Sequence, residues 1–297
     1  MRTASAVRAR SAAPTWRQNR YVQQRIAHAL LHIILIIGSI AALTPLIWVL
    51  STSLKVEGTE FVFPPQWIPT TFEWQNYVTA MTSVPFGLYV RNTLFIVVVT
   101  TAGTLITGSL AAFAFSRLRF RLRGILFSLV LSTLMVPYVV TLIPTFIIFK
   151  DLNWVNTYWP LTLPYWFGGG AFNIFLLRQF FMTLPIELDE AARADGAGAF
   201  WIWWNIALPL STPALATVTI FSVIFHWNDF LNPLIYINSP SLFTLALGLQ
   251  QFQSQYNTQF TLLMAASMVM ILPIMVLFFF TQRYFLQGIA LTGLAGR

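Results

Sequence analysis

The chain has 297 residues, 57% hydrophobic and only 9% charged, with a formal net charge of +8 and no cysteine. A soluble domain carries about 25% charged residues, so this composition belongs to a polytopic membrane protein, for which lipid removes the need for a charged surface. The missing cysteines exclude disulfides, thiolate nucleophiles and cysteine-based zinc sites.

Residues 1–27 form a basic tail with Arg2, Arg8, Arg10, Arg17, Arg20 and Arg25. It reads as a topology signal that also meets anionic lipid. Nothing else in the chain supports nucleic-acid binding, so no nucleic-acid partner is expected. A cleaved signal peptide is not expected either, because the first apolar run starts late, is too long and lacks a small-residue cleavage site.

Six apolar runs follow, at roughly 28–53, 92–116, 124–149, 159–177, 213–234 and 261–281. Each reaches the ~20 residues that cross a hydrocarbon core about 30 Å thick. A backbone in lipid must satisfy its own hydrogen bonds, so the runs are predicted to be helices and the fold all-α with six transmembrane spans. The transmembrane domain is placed at 28–283 and a short tail at 284–297. The second and third runs are joined by "RLRFRLR", residues 117–123, read as a tight, positively charged turn. Fourteen of the seventeen Lys and Arg residues fall on the side of the N-terminus, against Lys55, Arg91 and Lys150 on the other. The positive-inside rule therefore predicts a multi-pass protein of the cell membrane with both termini cytoplasmic.

The fourth run carries "PYWFGGGAFN". Pro164, Gly168, Gly169 and Gly170 interrupt a helix, and such breaks either line cavities in transporters or let helices pack closely. Before the fifth run, "LPIELDEAARADGAGAFWIWWNIALPLSTP" gathers Glu187, Asp189, Glu190 and Asp195, four of only nine acids. Pro185 suits a helix start, and Glu187, Asp189 and Glu190 suit the positive end of its dipole. Leu188, Ala191, Ala192 and Asp195 share one face, and Asp189, Glu190 and Arg193 another, with Asp189 and Arg193 spaced as an i,i+4 pair. Gly196 and Gly198 supply the stop, Gly196 as a left-handed cap. Leu208 and Pro209 redirect the chain toward the membrane. The fifth run contains His226 and, nearer its external end, Asp229, candidates for the lining of a pathway. The uncharged stretch 235–260 contains "QQFQSQYNTQ", whose Gln253, Gln255, Tyr256 and Asn257 could hydrogen-bond a partner. Most tryptophans lie near span ends, as an aromatic belt requires.

The acidic segment, 185–209, also carries a spacing. Glu190-Ala191-Ala192 is followed by three residues, Gly196, nine residues, and Ile206-Ala207-Leu208-Pro209. This resembles the EAA signature of the membrane subunits of ATP-binding-cassette importers. "IFLLRQFF", "HWNDFLNPL", "LALGLQQF" and "TQRYFLQG" extend the resemblance over nearly the whole chain, to the smaller permease of the maltose and glycerol-phosphate type. The ending "IALTGLAGR" departs from that pattern. The resemblance implies a type I importer permease fold and half of a translocation pathway for a sugar or related carbohydrate. The implied partners are a second homologous permease, an ATPase dimer, an extracytoplasmic substrate-binding protein and the lipid bilayer. It also implies that 185–209 is a coupling segment, with Glu190, Ala191, Ala192, Asp195, Gly196, Ile206, Leu208 and Pro209 meeting the ATPase, and that ATP and magnesium sit on that partner.

Two other classes are weighed against this. The only lysines, Lys55 and Lys150, stand outside any G-x-x-x-x-G-K-[ST] loop, so the chain carries no phosphate loop of its own. An ion-gradient-driven transporter would need an intramembrane relay, and His226 has no carboxylate partner at similar depth. A membrane enzyme would need a nucleophile, a metal set or facing carboxylates, and the acidic segment offers none, so no catalytic residue and no metal site is assigned.

Overall fold

The structure is a computed structural model that describes residues 15–253 and 258–294, with side chains between 23 and 282 of those ranges. The chain runs through α1 (Thr15–Ser53), α2 (Gln75–Thr82), α3 (Phe86–Arg117), α4 (Arg123–Ser132), α5 (Tyr138–Asp151), α6 (Trp159–Thr162) and α7 (Ala171–Thr183). It continues through α8 (Ile186–Ala194), α9 (Ala199–Ile202), α10 (Leu208–Leu210), α11 (Thr212–Trp227), α12 (Leu231–Tyr236), α13 (Leu245–Gly248) and α14 (Phe260–Leu294). Among the described residues the only β pairing is an isolated antiparallel bridge between Gln253 and Thr258.

Three spans cross in one piece: Gln23–Ser53, Phe86–Arg117 and Phe260–Gln282. Three more are bent. The α4 segment meets α5 at 101°, Trp159–Thr183 meets α8 at 76°, and Ala199–Leu210 meets α11 at 81°, which brings the count to six. The first two bends lie before prolines: Val136 and Leu184 take extended ψ angles of 114° and 141°, because a proline ring disfavours helical backbone in the residue before it. The third apolar run is thus two helices rather than one rod. α1 begins at Thr15, inside the stretch read as a tail, because residues 15–27 hold no Pro or Gly and are rich in Arg and Gln, good helix formers. The last helix likewise continues to Leu294, past the boundary drawn at 283.

α3 is the central element and packs on α7 and α11, while α14 packs on α1, α2 and α11. At one end of the bundle Phe113, Leu177, Phe181, Ile202, Trp203 and Val218 form a core that includes Ala192 of α8. At the other end Tyr89, Trp227, Leu245, Phe252, Ala265 and Ala266 form a second. Polar contacts bind the helices where hydrophobicity cannot discriminate between neighbour and lipid. The Thr101 and Ser222 hydroxyls meet at 2.9 Å between α3 and α11, and Trp227 Nε1 donates to the Met270 carbonyl at 3.0 Å. The apolar window of α1 is wholly exposed, as a lipid-facing helix requires.

Candidate functional site

The acidic segment folds as a short helix leaning on the membrane bundle. Pro185 precedes α8, and Glu187 and Asp189 fall in its first turn. The helix ends in a double cap: the Ala197 N–H donates to the Ala192 carbonyl at 2.9 Å and the Gly196 N–H to the Arg193 carbonyl at 3.0 Å. This Schellman pattern places the residue after the cap in the left-handed region, and Gly196 has φ +86°. A Cβ there would meet nothing within 4 Å, so the requirement for glycine is one of backbone conformation. Gly198 instead has extended backbone and opens α9.

Glu190, Ala191, Asp195 and Gly196 are exposed, and Ala192 is buried. Leu188, Ala191, Asp195 and Gly196, with Trp201 and Ile206, surround an open concavity of about 680 Å³. After α9 comes a π turn, Trp203–Ala207, that buries Trp203 and Ala207. Ile206 and Leu208 pack partly on the core, and Pro209 is exposed. The arrangement is a small, firmly capped helix that offers small residues and Asp195 around a hollow, with Glu187 and Glu190 exposed beside it.

One expectation fails. Asp189 does not share an exposed charged face with Glu190 and Arg193. It is 3% exposed and its Oδ2 lies 3.7 Å from Arg117 Nη1, the one ion pair among the described residues. Asp189 and Ala192, three apart, face the bundle together. Arg117 is correspondingly not part of an exposed basic turn: it closes α3 and is 7% exposed. Its Nη2 donates to the carbonyls of Phe181 and Leu184 at 2.5 and 2.6 Å.

The second feature is an open cavity of about 440 Å³ where α3, α7 and α11 meet, walled by Tyr165, Phe172, Phe221 and Phe225 with Thr104, Asn173, Ser222 and His226. His226 is buried, with its ring edge-on to Tyr165 at 4.3 Å. Thr104 is 1% exposed, and its hydroxyl has no hydrogen-bond partner among the described residues. Gly168, Gly169 and Gly170 are not in the wall. All three have positive φ, and Gly168 and Gly169 set the break against α3. The Gly168 N–H donates to Thr107 Oγ1 at 3.0 Å, and a Cβ on Gly169 would fall 2.6 Å from Thr104 Cα. Close packing on α3 is therefore what Gly168 and Gly169 achieve, whereas a Cβ on Gly170 would meet nothing within 4 Å and its need for glycine is one of backbone conformation. Asp229 acts locally as well. It accepts from the backbone and side-chain N–H groups of Asn232, in the first turn of α12, at 3.2 and 2.8 Å.

Gln253 is exposed and paired with Thr258, and Gln255, Tyr256 and Asn257 lie outside the described residues. Sequence reasoning missed Arg117, Thr104, Tyr165 and Asn173. Tyr165 and Asn173 flank the glycine break, which was a signal. Arg117 had none, since its partners lie more than sixty residues away.

A family profile described as binding-protein-dependent transport system inner membrane component matches residues 104–291. The sn-glycerol-3-phosphate transport system permease protein UgpE of Yersinia enterocolitica is 36% identical over 267 residues, 87% of this chain and 94% of that one. The sulfoquinovosyl glycerol transport system permease protein SmoH of Agrobacterium fabrum is 32% identical over 86% of this chain and 89% of that one. A crystal structure of a bacterial ABC transporter involved in the import of the acidic polysaccharide alginate superposes with a TM-score of 0.78 at 24% identity, over 89% of this chain and 98% of that one.

Proposed function

Because the chain belongs to the family of binding-protein-dependent transport system inner membrane components, we propose that it is one of two homologous permease subunits of an ATP-driven importer for a sugar or related polyhydroxy compound. α8 docks on a separate ATPase dimer, which holds the ATP and magnesium. A binding protein delivers substrate on the opposite face, and the 440 Å³ cavity borders the route between. Both termini and α8 lie in the cytoplasm, in line with the fourteen basic residues on that side. The chain itself carries out no catalysis.

The observation that carries this reading is the outer surface of α8. Ala191, Asp195 and Gly196 stand exposed around a hollow with Glu190 exposed beside them, on a helix fixed at its C-terminus by two hydrogen bonds. Small residues allow another backbone to approach, and a charged edge sets register. Rigid movement of such a helix converts closure of an ATPase dimer into rotation of the spans it leans on.

The test uses the complete transporter in proteoliposomes. Gly196→Asp puts a side chain at a left-handed position and a bulky charge into the hollow. It is expected to leave the membrane level unchanged while abolishing co-purification of the ATPase and ATP-dependent uptake. Wild-type attachment and uptake in this variant, or wild-type uptake driven by an ion gradient without nucleotide, would refute the proposal.

A further inference from the structure

The connection between α7 and α8 is short and sharply bent. Thr183 ends α7, Leu184 is extended, Pro185 precedes α8, and the axes turn by 76°. Both connecting residues are extended, Leu184 with ψ 141° and Pro185 with ψ 133°, and such a joint is a hinge unless something spans it. Arg117 does. Its Nη2 donates to the Phe181 carbonyl, in the last turn of α7, and to the Leu184 carbonyl, in the connection. The Phe181 carbonyl also accepts from the Leu184 N–H at 3.3 Å, and the Leu184 carbonyl lies past the end of α7. Its Nη1 faces Asp189, inside α8. One guanidinium at the end of α3 thus holds the helix before the bend, the bend, and the helix after it. Both charged side chains are 4% exposed, so water does not screen the pair. A second arginine reinforces the same corner: Arg178 of α7 donates from Nε to the Phe115 carbonyl at 3.2 Å and lies over the Phe127 ring.

We propose that Arg117 is a positioning residue of transport: through Asp189 it locks α8 to α3, so that a displacement of α8 moves α3 rather than folding the hinge. This rests on the reading of α8 as the ATPase-docking helix. The consequence is a direct mechanical line to the cavity. α3 runs unbroken from Arg117 to Thr104 in the cavity wall, about 20 Å at 1.5 Å per residue. Along that length it packs on both α7 and α11. Only arginine suits this position. Its planar fork reaches two carbonyls and a carboxylate at once, whereas the ammonium of lysine is a point charge. Asp189 Oδ2 has no hydrogen-bond partner among the described residues, so electrostatic attraction, not a hydrogen bond on that oxygen, ties α8 to the fork.

The experiment compares Asp189→Asn and Arg117→Lys in the full transporter, reconstituted with its ATPase and binding protein. Three quantities are read: ATPase co-purification, ATP hydrolysis, and substrate taken up per ATP hydrolysed. Both variants are expected to keep the ATPase bound and hydrolysing, while uptake per ATP falls by about tenfold, within the span seen for residues along a coupling network. The chain has no cysteine, so Arg117→Cys combined with Asp189→Cys can be bridged by a short bis-methanethiosulfonate reagent, using cysteine-free partner subunits. Bridging is expected to restore uptake per ATP and reduction to abolish it again. A merely structural pair would not give that reversibility, and the bridged form keeps the test open where a single variant folds poorly. Unchanged uptake per ATP in both single variants, or no recovery on bridging, overturns the latch. Loss of ATPase attachment in them overturns it too, since Arg117 would then only shape the docking face. Failure of Gly196→Asp to release the ATPase would instead remove the docking reading itself, whatever the pair does.

Discussion

Gly169 and Gly196 both need left-handed backbone, with φ of +65° and +86°, but their surroundings differ, and alanine at each should separate the two costs. A Cβ on Gly196 meets nothing within 4 Å, so Gly196→Ala carries only the conformational penalty, about 1–2 kcal/mol. A Cβ on Gly169 would stand 2.6 Å from Thr104 Cα and Cγ2. The methyl could rotate away, but the Cα belongs to the backbone of α3, which is packed on α7 and α11. Overpacking of this kind adds about 1–3 kcal/mol, which brings Gly169→Ala to about 2–5 kcal/mol in total. The assay is thermal unfolding of the detergent-solubilised chain, followed by loss of the monodisperse peak on size-exclusion chromatography. Gly169→Ala is expected to lower the midpoint clearly more than Gly196→Ala. Equal midpoints, or a Gly169→Ala chain as stable as wild type, would refute the claim that the break is packed directly on α3.

Two further outcomes are expected. Single cysteines at the exposed positions Ala199 and Asn238 should be labelled by a membrane-impermeant maleimide from the cytoplasmic and the external side respectively, and the reverse pattern would invert the orientation. Asp229→Ala should lower stability by about 1 kcal/mol through loss of its bonds to the first turn of α12, while Asp229→Asn keeps an acceptor and stays near wild type. Lost uptake in a well-folded Asp229→Asn chain would instead make its charge part of the pathway.

Periodicity and length carried most of the architecture. The runs at 28–53, 92–116 and 261–281 are long and continuous, and each lies inside one helix. The bent spans were less legible, because a hydropathy window sums over a break. Pro137 lies inside an apolar run whose average does not change, yet the chain turns by 101° there. The glycine break showed that something interrupts the fourth span, but not what it touches. Only the position of Thr104 across the interface shows that Gly169 serves packing, while Tyr165 and Asn173 on either side reach the cavity. For α8 the cap was legible to the residue, because Gly196 follows from local backbone chemistry alone.

What local chemistry could not assign was the inward face of α8. A helix of nine residues with acids at three positions has two plausible faces, and the i,i+4 spacing of Asp189 and Arg193 favoured an exposed pair. The choice was made by Arg117, seventy-two residues earlier, whose guanidinium would otherwise be buried without a carboxylate. Burial of a lone charge is far more costly than loss of a solvated i,i+4 pair worth about 0.2–0.5 kcal/mol, so the distant partner wins. The gathered acids are therefore two populations. Glu187, Glu190 and Asp195 are exposed and free to answer to a partner's surface, whereas Asp189 answers to the bundle. Charge reversal in the first group should change what α8 binds and leave the fold intact. Charge reversal at Asp189 would set two cations against each other in a buried corner and detach α8 from α3.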